Sequence, residues 1–221
     1  MKRRTPPKSV RRGGRPSRAD ALRLRQRILE AATELFLEQG YGSTTIEAVA
    51  VRAGISKRTF YHRFDDKEKL FAAVVHDIIA QIRPPAGVPL IEGATVHDAL
   101  RRLAGMILRA ALSPKAIALH RLVMAESARF PELVRAVHAD GSTREAITLI
   151  ADLLARELRD PRLSAENRTF AAEQFIFMVV ALPQRRAMGF GKPMTVPEID
   201  GWADRVVALF LDGSRRMISA G

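Results

Sequence analysis

Cysteine is absent from this chain of 221 residues, which excludes a disulfide framework, thiolate metal sites and cysteine nucleophiles. Long apolar runs are missing too. The longest candidate, FIFMVVAL at 175–182, falls far short of the roughly 20 residues that a membrane-spanning helix needs. The basic start has no apolar segment behind it and so lacks the form of a secretory signal, which makes a cytoplasmic protein the expectation. Catalytic signatures are likewise wanting: there is no G-x-S-x-G, no Walker loop, no H-E-x-x-H and no GxGxxG after a strand. Ser56 and His62 are close in sequence, but no acid is placed to orient the imidazole as a base. His97, His120 and His138 lie on separate predicted segments without HxxxH spacing, so no metal and no cofactor are expected. No alternating strand pattern of useful length occurs, and the fold class expected is all-α.

Acidic residues are absent from one place in particular. Residues 1–18 hold eight bases and no acid, whereas 19–70 hold nine bases and eight acids, and 71–221 hold nineteen and sixteen. The arm therefore carries most of the net +12. With Pro6, Pro7, Gly13, Gly14 and Pro16 in it, a disordered basic arm over 1–18 is expected. Two roles are open to it. It suits an electrostatic tether that raises affinity and on-rate for any DNA. Gly14-Arg15-Pro16 also resembles the core of an AT-hook, in which an extended arginine, here Arg15, enters a narrow minor groove.

What is present is concentrated in TTIEAVAVRAGISKRTFYHRF, residues 44–64. Thr44 and Thr45 are capping residues ahead of Ile46, Val49, Ala50 and Ala53 at helical spacing. Gly54 supplies the left-handed backbone of a sharp break, and Ser56 can cap a second short helix. Phe60 and Phe64, four residues apart, would anchor that helix to the first. Lys57, Arg58, Tyr61 and His62 are then left on the outer side, where cations, a phenol and an imidazole suit phosphates and base edges of a major groove. Upstream, Ile28, Leu29, Ala32, Leu35 and Phe36 make an amphipathic helix ended by Gly40. Downstream, a helix begins behind Asp65 or Asp66. Lys67 lies in its first turn, where a cation needs an anion nearby. A DNA phosphate would serve, as would Asp65 or Asp66.

Over roughly residues 20–70 the chain resembles the TetR family of transcriptional regulators, through G-Y-G-S-T-T, then A-G-I-S-K-R-T-F-Y-H-R-F, then K-E-K-L in that order. Phe60 departs from the pattern, since leucine is commoner there. The resemblance implies an all-helical homodimer, with a three-helix helix-turn-helix head (19–66) and a larger ligand-binding and dimerisation body (67–221). It implies a repressor released from a palindromic operator on double-stranded DNA by a small molecule. The family's DNA-contacting roles would fall on Thr45, Lys57, Arg58, Thr59, Tyr61, His62 and Lys67.

The body is quieter. Three prolines and two glycines in 83–95 predict a loop. A helix over about 96–112 has Leu100, Leu103, Ile107 and Leu108 as its stripe, and Ser113-Pro114 opens another running to about 129. Residues 131–160 read as one long helix loosened near Gly141, ending at Asp160-Pro161. Helices at about 165–190 and 198–217 are the dimerisation candidates, the former apolar almost all round and the latter striped by Ile199, Trp202, Val206, Leu209 and Phe210. Met106, Met124, Phe175, Phe177 and Met178 are candidate walls of an effector cavity, because methionine fills irregular space. Arg185-Arg186 would receive an anionic effector or simply end a helix. A different class of function, an architectural nucleoid-type DNA binder with no effector, is separated from the regulator by sequence preference: a regulator keeps a site-to-competitor ratio of at least about a thousand.

Overall fold

The computed structural model describes residues 17–83, 95–158 and 164–212. Arg15 and most of the basic arm lie outside them, as do 84–94 of the expected loop and the chain beyond Asp212. Among the described residues all regular structure is helical. The order is α1 (Arg18–Gln39), α2 (Ile46–Arg52), α3 (Lys57–Tyr61), α4 (Lys67–Ile82), α5 (Val96–Ala111), α6 (Pro114–Glu126), α7 (Glu132–Ala139), α8 (Ser142–Leu158), α9 (Ala165–Ala187) and α10 (Val196–Asp212).

Local chemistry explains the boundaries. Ser17 caps α1 by accepting from the Asp20 N–H at 3.1 Å, so the helix begins inside the segment expected to be arm. Thr45, Ser56, Asp66, Thr95 and Ser113 cap α2 to α6 in the same way. Thr44 does not cap. It is buried, and its hydroxyl donates to the Gly40 carbonyl at 2.7 Å. Gly54, at φ 66°, turns the chain between α2 and α3. Open space lies where a Cβ would stand, so the requirement there is conformational and not steric.

One departure from the expected helices has an evident cause. The single helix of 131–160 is two helices, broken at Gly141 with φ 82°. Helix α9 runs through Pro183 to Ala187, near the expected end at about 190, and the proline ring is buried on the inner face with Ala172, Phe175 and Val179. Packing there offsets the lost backbone bond.

Side-chain packing divides the molecule along a line that the sequence did not reveal. One core joins α1, α2, α3 and α4 to α6 and α7: Phe36, Phe60, Leu70, Phe71 and Val75 pack with Leu119, Leu122 and Leu133. The other joins α5 to α8, α9 and α10, with Leu100, Leu103, Leu108, Leu154, Phe175 and Val207 at its centre. Each such side chain contributes roughly 1.5–3 kcal/mol on burial. Helices α6 and α7 are thus packed as part of the N-terminal core, although they lie far from it in sequence.

Candidate nucleic-acid interface

Helix α3 is seated by its apolar side. Phe60 is fully buried, and Phe64 nearly so, their rings 5.7 Å apart. That seating turns the other side outward: Lys57, Arg58, Tyr61 and His62 are exposed in succession. The Tyr61 ring, 50% exposed, stands edge-on to Phe60 at 5.6 Å, which directs the phenol away from the core. Thr59 faces sideways. Its N–H caps on the Ser56 oxygen at 3.2 Å, and its hydroxyl shares a 2.9 Å bond with the Ser56 hydroxyl. Thr45 is exposed at the head of α2, its oxygen accepting from the Ala48 N–H at 3.1 Å. Arg63, also exposed, extends the basic face by one position beyond the residues singled out from sequence. Its signal was only its place directly after the helix.

An anion also stands on this surface. Glu47 of α2 pairs with Lys57, and that bond holds the carboxyl below and the ammonium above their usual ranges. Any DNA phosphate reaching Lys57 must displace Glu47. Arg52, in contrast, is turned back onto α1, 2.8 Å from Glu34 and 3.5 Å from Glu38.

Lys67 finds its partners inside the head, in the turn between α1 and α2 and not at Asp65 or Asp66. It donates to the carbonyls of Tyr41 (2.9 Å), Thr44 (3.1 Å) and Gly42 (3.5 Å), and lies 4.4 Å from the Tyr41 ring centre. Carbonyl dipoles and a π face replace the anion that its place in the first turn demands. Burial lowers its pKa. Tyr41 itself is held well above the usual phenol range by burial and by the Glu132 carboxylate, so it stays protonated.

The residues expected to line one effector cavity do not converge. Met106 borders a small cavity of about 280 Å³ with Ile82, Arg109, Ala110 and Ser113. Phe175 is fully buried core, 4.9 Å from the Phe210 ring. Met178 is half-buried against the same core, and Met124 is 63% exposed on α6. Phe177 borders a separate groove of about 790 Å³ between α7, α8 and α9, along with Ile147, Ile176 and Val180. A periodic apolar stripe cannot reveal which methionine faces out when the neighbouring helix is distant in sequence. Arg186 is committed locally, to the Lys192 carbonyl at 2.5 Å and Glu198 at 3.6 Å. Among the described residues no cluster of His, Asp and Glu is arranged to hold a metal, and no helix is long and apolar enough to cross a membrane.

Comparison with known proteins covers both packing units. Residues 28–74 match the model of bacterial regulatory proteins of the tetR family, and residues 98–213 match that of the AefR-like transcriptional repressor C-terminal domain. The HTH-type transcriptional regulator UidR of Escherichia coli K12 is 29% identical over 146 residues, covering 64% of this chain and 68% of that one. The HTH-type transcriptional repressor NicS of Pseudomonas putida is 34% identical over 95 residues, 43% of this chain and 44% of its own. Among solved structures, a TetR-family regulator from Mesorhizobium loti superposes with a TM-score of 0.68 at 30% identity, covering 89% of this chain and 98% of that one. The flavonoid-responsive regulator FrrA does so with 0.68 at 31%, covering 86% and 96%. An outward-facing second helix on a buried aromatic seat, continued by a matching repressor-type body, has one assignment: the chain belongs to the TetR family and is a non-enzymatic, DNA-binding transcriptional regulator.

Proposed function

We propose that the protein is a ligand-released repressor that binds a palindromic operator as a homodimer. One observation carries the dimer: two aromatic side chains stand uncovered among polar neighbours on the outer face of α9 in the single chain. Phe170 and Phe177, two turns apart, are exposed opposite the buried Ala172, Phe175 and Val179. A face of that kind is suited to a two-fold copy of itself, with α10 completing a four-helix contact. Two heads reading half-sites about a helical turn apart give the operator its symmetry. Repression is supported by the AefR-like repressor match and by the resemblance to NicS, and small-molecule control by the description of FrrA as flavonoid-responsive.

Helix α4 is the lever of the switch. It shares the N-terminal core and is tied to the helices behind it by Glu68–Arg135 (3.5 Å), His76–Asp140 (3.0 Å), Lys115–Gln81 (2.6 Å) and Arg83–Glu145 (3.0 Å). A ligand that lowers operator affinity 100-fold must favour the released state by about 2.7 kcal/mol.

Selection of bound sequences from a random duplex library at physiological salt tests this function. One enriched palindrome is expected. Tight binding with no enrichment would replace it with the architectural function that the basic arm alone can support. On the selected operator, Lys57→Ala and Tyr61→Phe should each weaken binding by about 1–3 kcal/mol. Arg15→Ala should weaken binding more on AT-rich than on GC-rich flanks if the arm enters the minor groove, and equally on both if it is only a tether.

A further inference from the structure

Glu126 ends α6, a helix with no basic residue in its last turn. A carboxylate at that end faces the negative pole of its own helix, so the helix itself gives no reason for it. The reason lies 84 and 85 residues away. Glu126 Oε1 accepts the Tyr41 N–H at 2.8 Å, and Oε2 accepts the Gly42 N–H at 2.7 Å. Both bonds are charge-assisted and short.

Those amides belong to the turn between α1 and α2, which aims α2 and through it α3. Lys67 of α4 grips the carbonyls of the same turn, at Tyr41 and Thr44. The backbone dipoles of the turn are thus held by opposite charges from two helices. The fit is close. A Cβ at Gly40 would collide with Glu126 Oε1, and one at Gly42 would lie 3.0 Å from the Phe130 ring. That ring packs on Tyr41 at 5.1 Å. At its other end α6 starts at Ser113-Pro114, beside the small cavity walled by Met106, Arg109 and Ser113. Its 13 residues make a rod of about 20 Å from that cavity to the turn.

We propose that Glu126 is a positioning residue for DNA reading: its carboxylate sets the orientation of the head, so that a displacement of α6 is delivered to α2 and α3 through the Tyr41 and Gly42 amides. This rests on the dimeric, palindrome-reading function above and adds a route from body to head that bypasses α4.

The test compares wild type with Glu126→Gln, which keeps the shape but loses one acceptor, and Glu126→Asp, which keeps the charge but is one methylene shorter. Binding is measured to the selected operator, to versions with half-sites one base pair closer or farther, and to unrelated duplex. Amide exchange at Tyr41 and Gly42 is followed without DNA. Both variants are expected to lose about tenfold in affinity for the native spacing, the equivalent of one charged hydrogen bond. The preference over altered spacings should flatten, affinity for unrelated duplex should hold, and the Gly42 amide should exchange faster. A lower melting temperature with the spacing preference intact would make Glu126 merely structural and overturn the proposal, as would unchanged exchange at both amides. If wild type selects no palindrome, the dimeric operator fails on its own account, and the exchange rates then decide whether Glu126 holds the turn.

Discussion

Phe177→Glu is expected to leave the fold intact, to convert a dimer into a monomer at micromolar concentration, and to reduce operator affinity by at least about a thousandfold. Phe177 is 67% exposed and Phe170 60% exposed in the single chain, so neither supports the core of its own subunit. The melting temperature of the isolated chain should therefore barely move. In a two-fold contact the same side chain is buried on both subunits, and an aromatic of this kind contributes 150–250 Å² of contact area each time. Glutamate removes that area twice and buries a carboxylate that would have to lose its water. The loss at the operator is large because one α3 of five residues touches too few base pairs to compete with bulk DNA. Sedimentation velocity, with and without operator, reads both effects. A stable Phe177→Glu dimer with undiminished operator affinity would remove the outer face of α9 from the interface.

Lys67→Met should destabilise the protein by about 2–3 kcal/mol, seen as a fall of roughly 4–12 °C in melting temperature. Methionine preserves most of the apolar contact with Tyr41 and Phe130 but takes the ammonium from the Thr44 carbonyl and leaves the Tyr41 carbonyl only the Thr44 N–H, at 3.2 Å. The same variant separates two roles. A lysine on a phosphate contributes about 0.9 to the slope of log affinity against log salt. Since the ammonium is turned into the head, the slope should be unchanged once the folded fraction is taken into account. A slope lower by that amount, with stability unaffected, would return Lys67 to the DNA surface.

Lys67 also marks where sequence stops being informative. Thr45, Gly54, Ser56 and Ser113-Pro114 were legible because a cap or a turn is decided within four residues. The outer face of α3 was legible because Phe60 and Phe64 fix the inner one. The partners of Lys67 are backbone carbonyls 23 to 26 residues upstream, and carbonyls are common to every residue type. Glu126 was silent for the same reason, its partners being amides. Met124 and Phe177 read as wall or core because α6 and α9 carry apolar residues on more than one side. Only the packing of distant helices shows which side is covered. The break at Gly141 was visible as a weakness and became a boundary through its positive φ.

The N-terminal core draws on residues 28–78 and again on 119–137, and this has a consequence for protein engineering. A chimera spliced at the junction of α3 and α4, or just past Ile82, would strip Leu119, Leu122 and Leu133 from the aromatic cluster they cover. A graft of this DNA-reading unit onto a foreign sensor must carry α6 and α7 with it, as a second, non-contiguous cassette. The native α5, α8, α9 and α10 are the interchangeable portion.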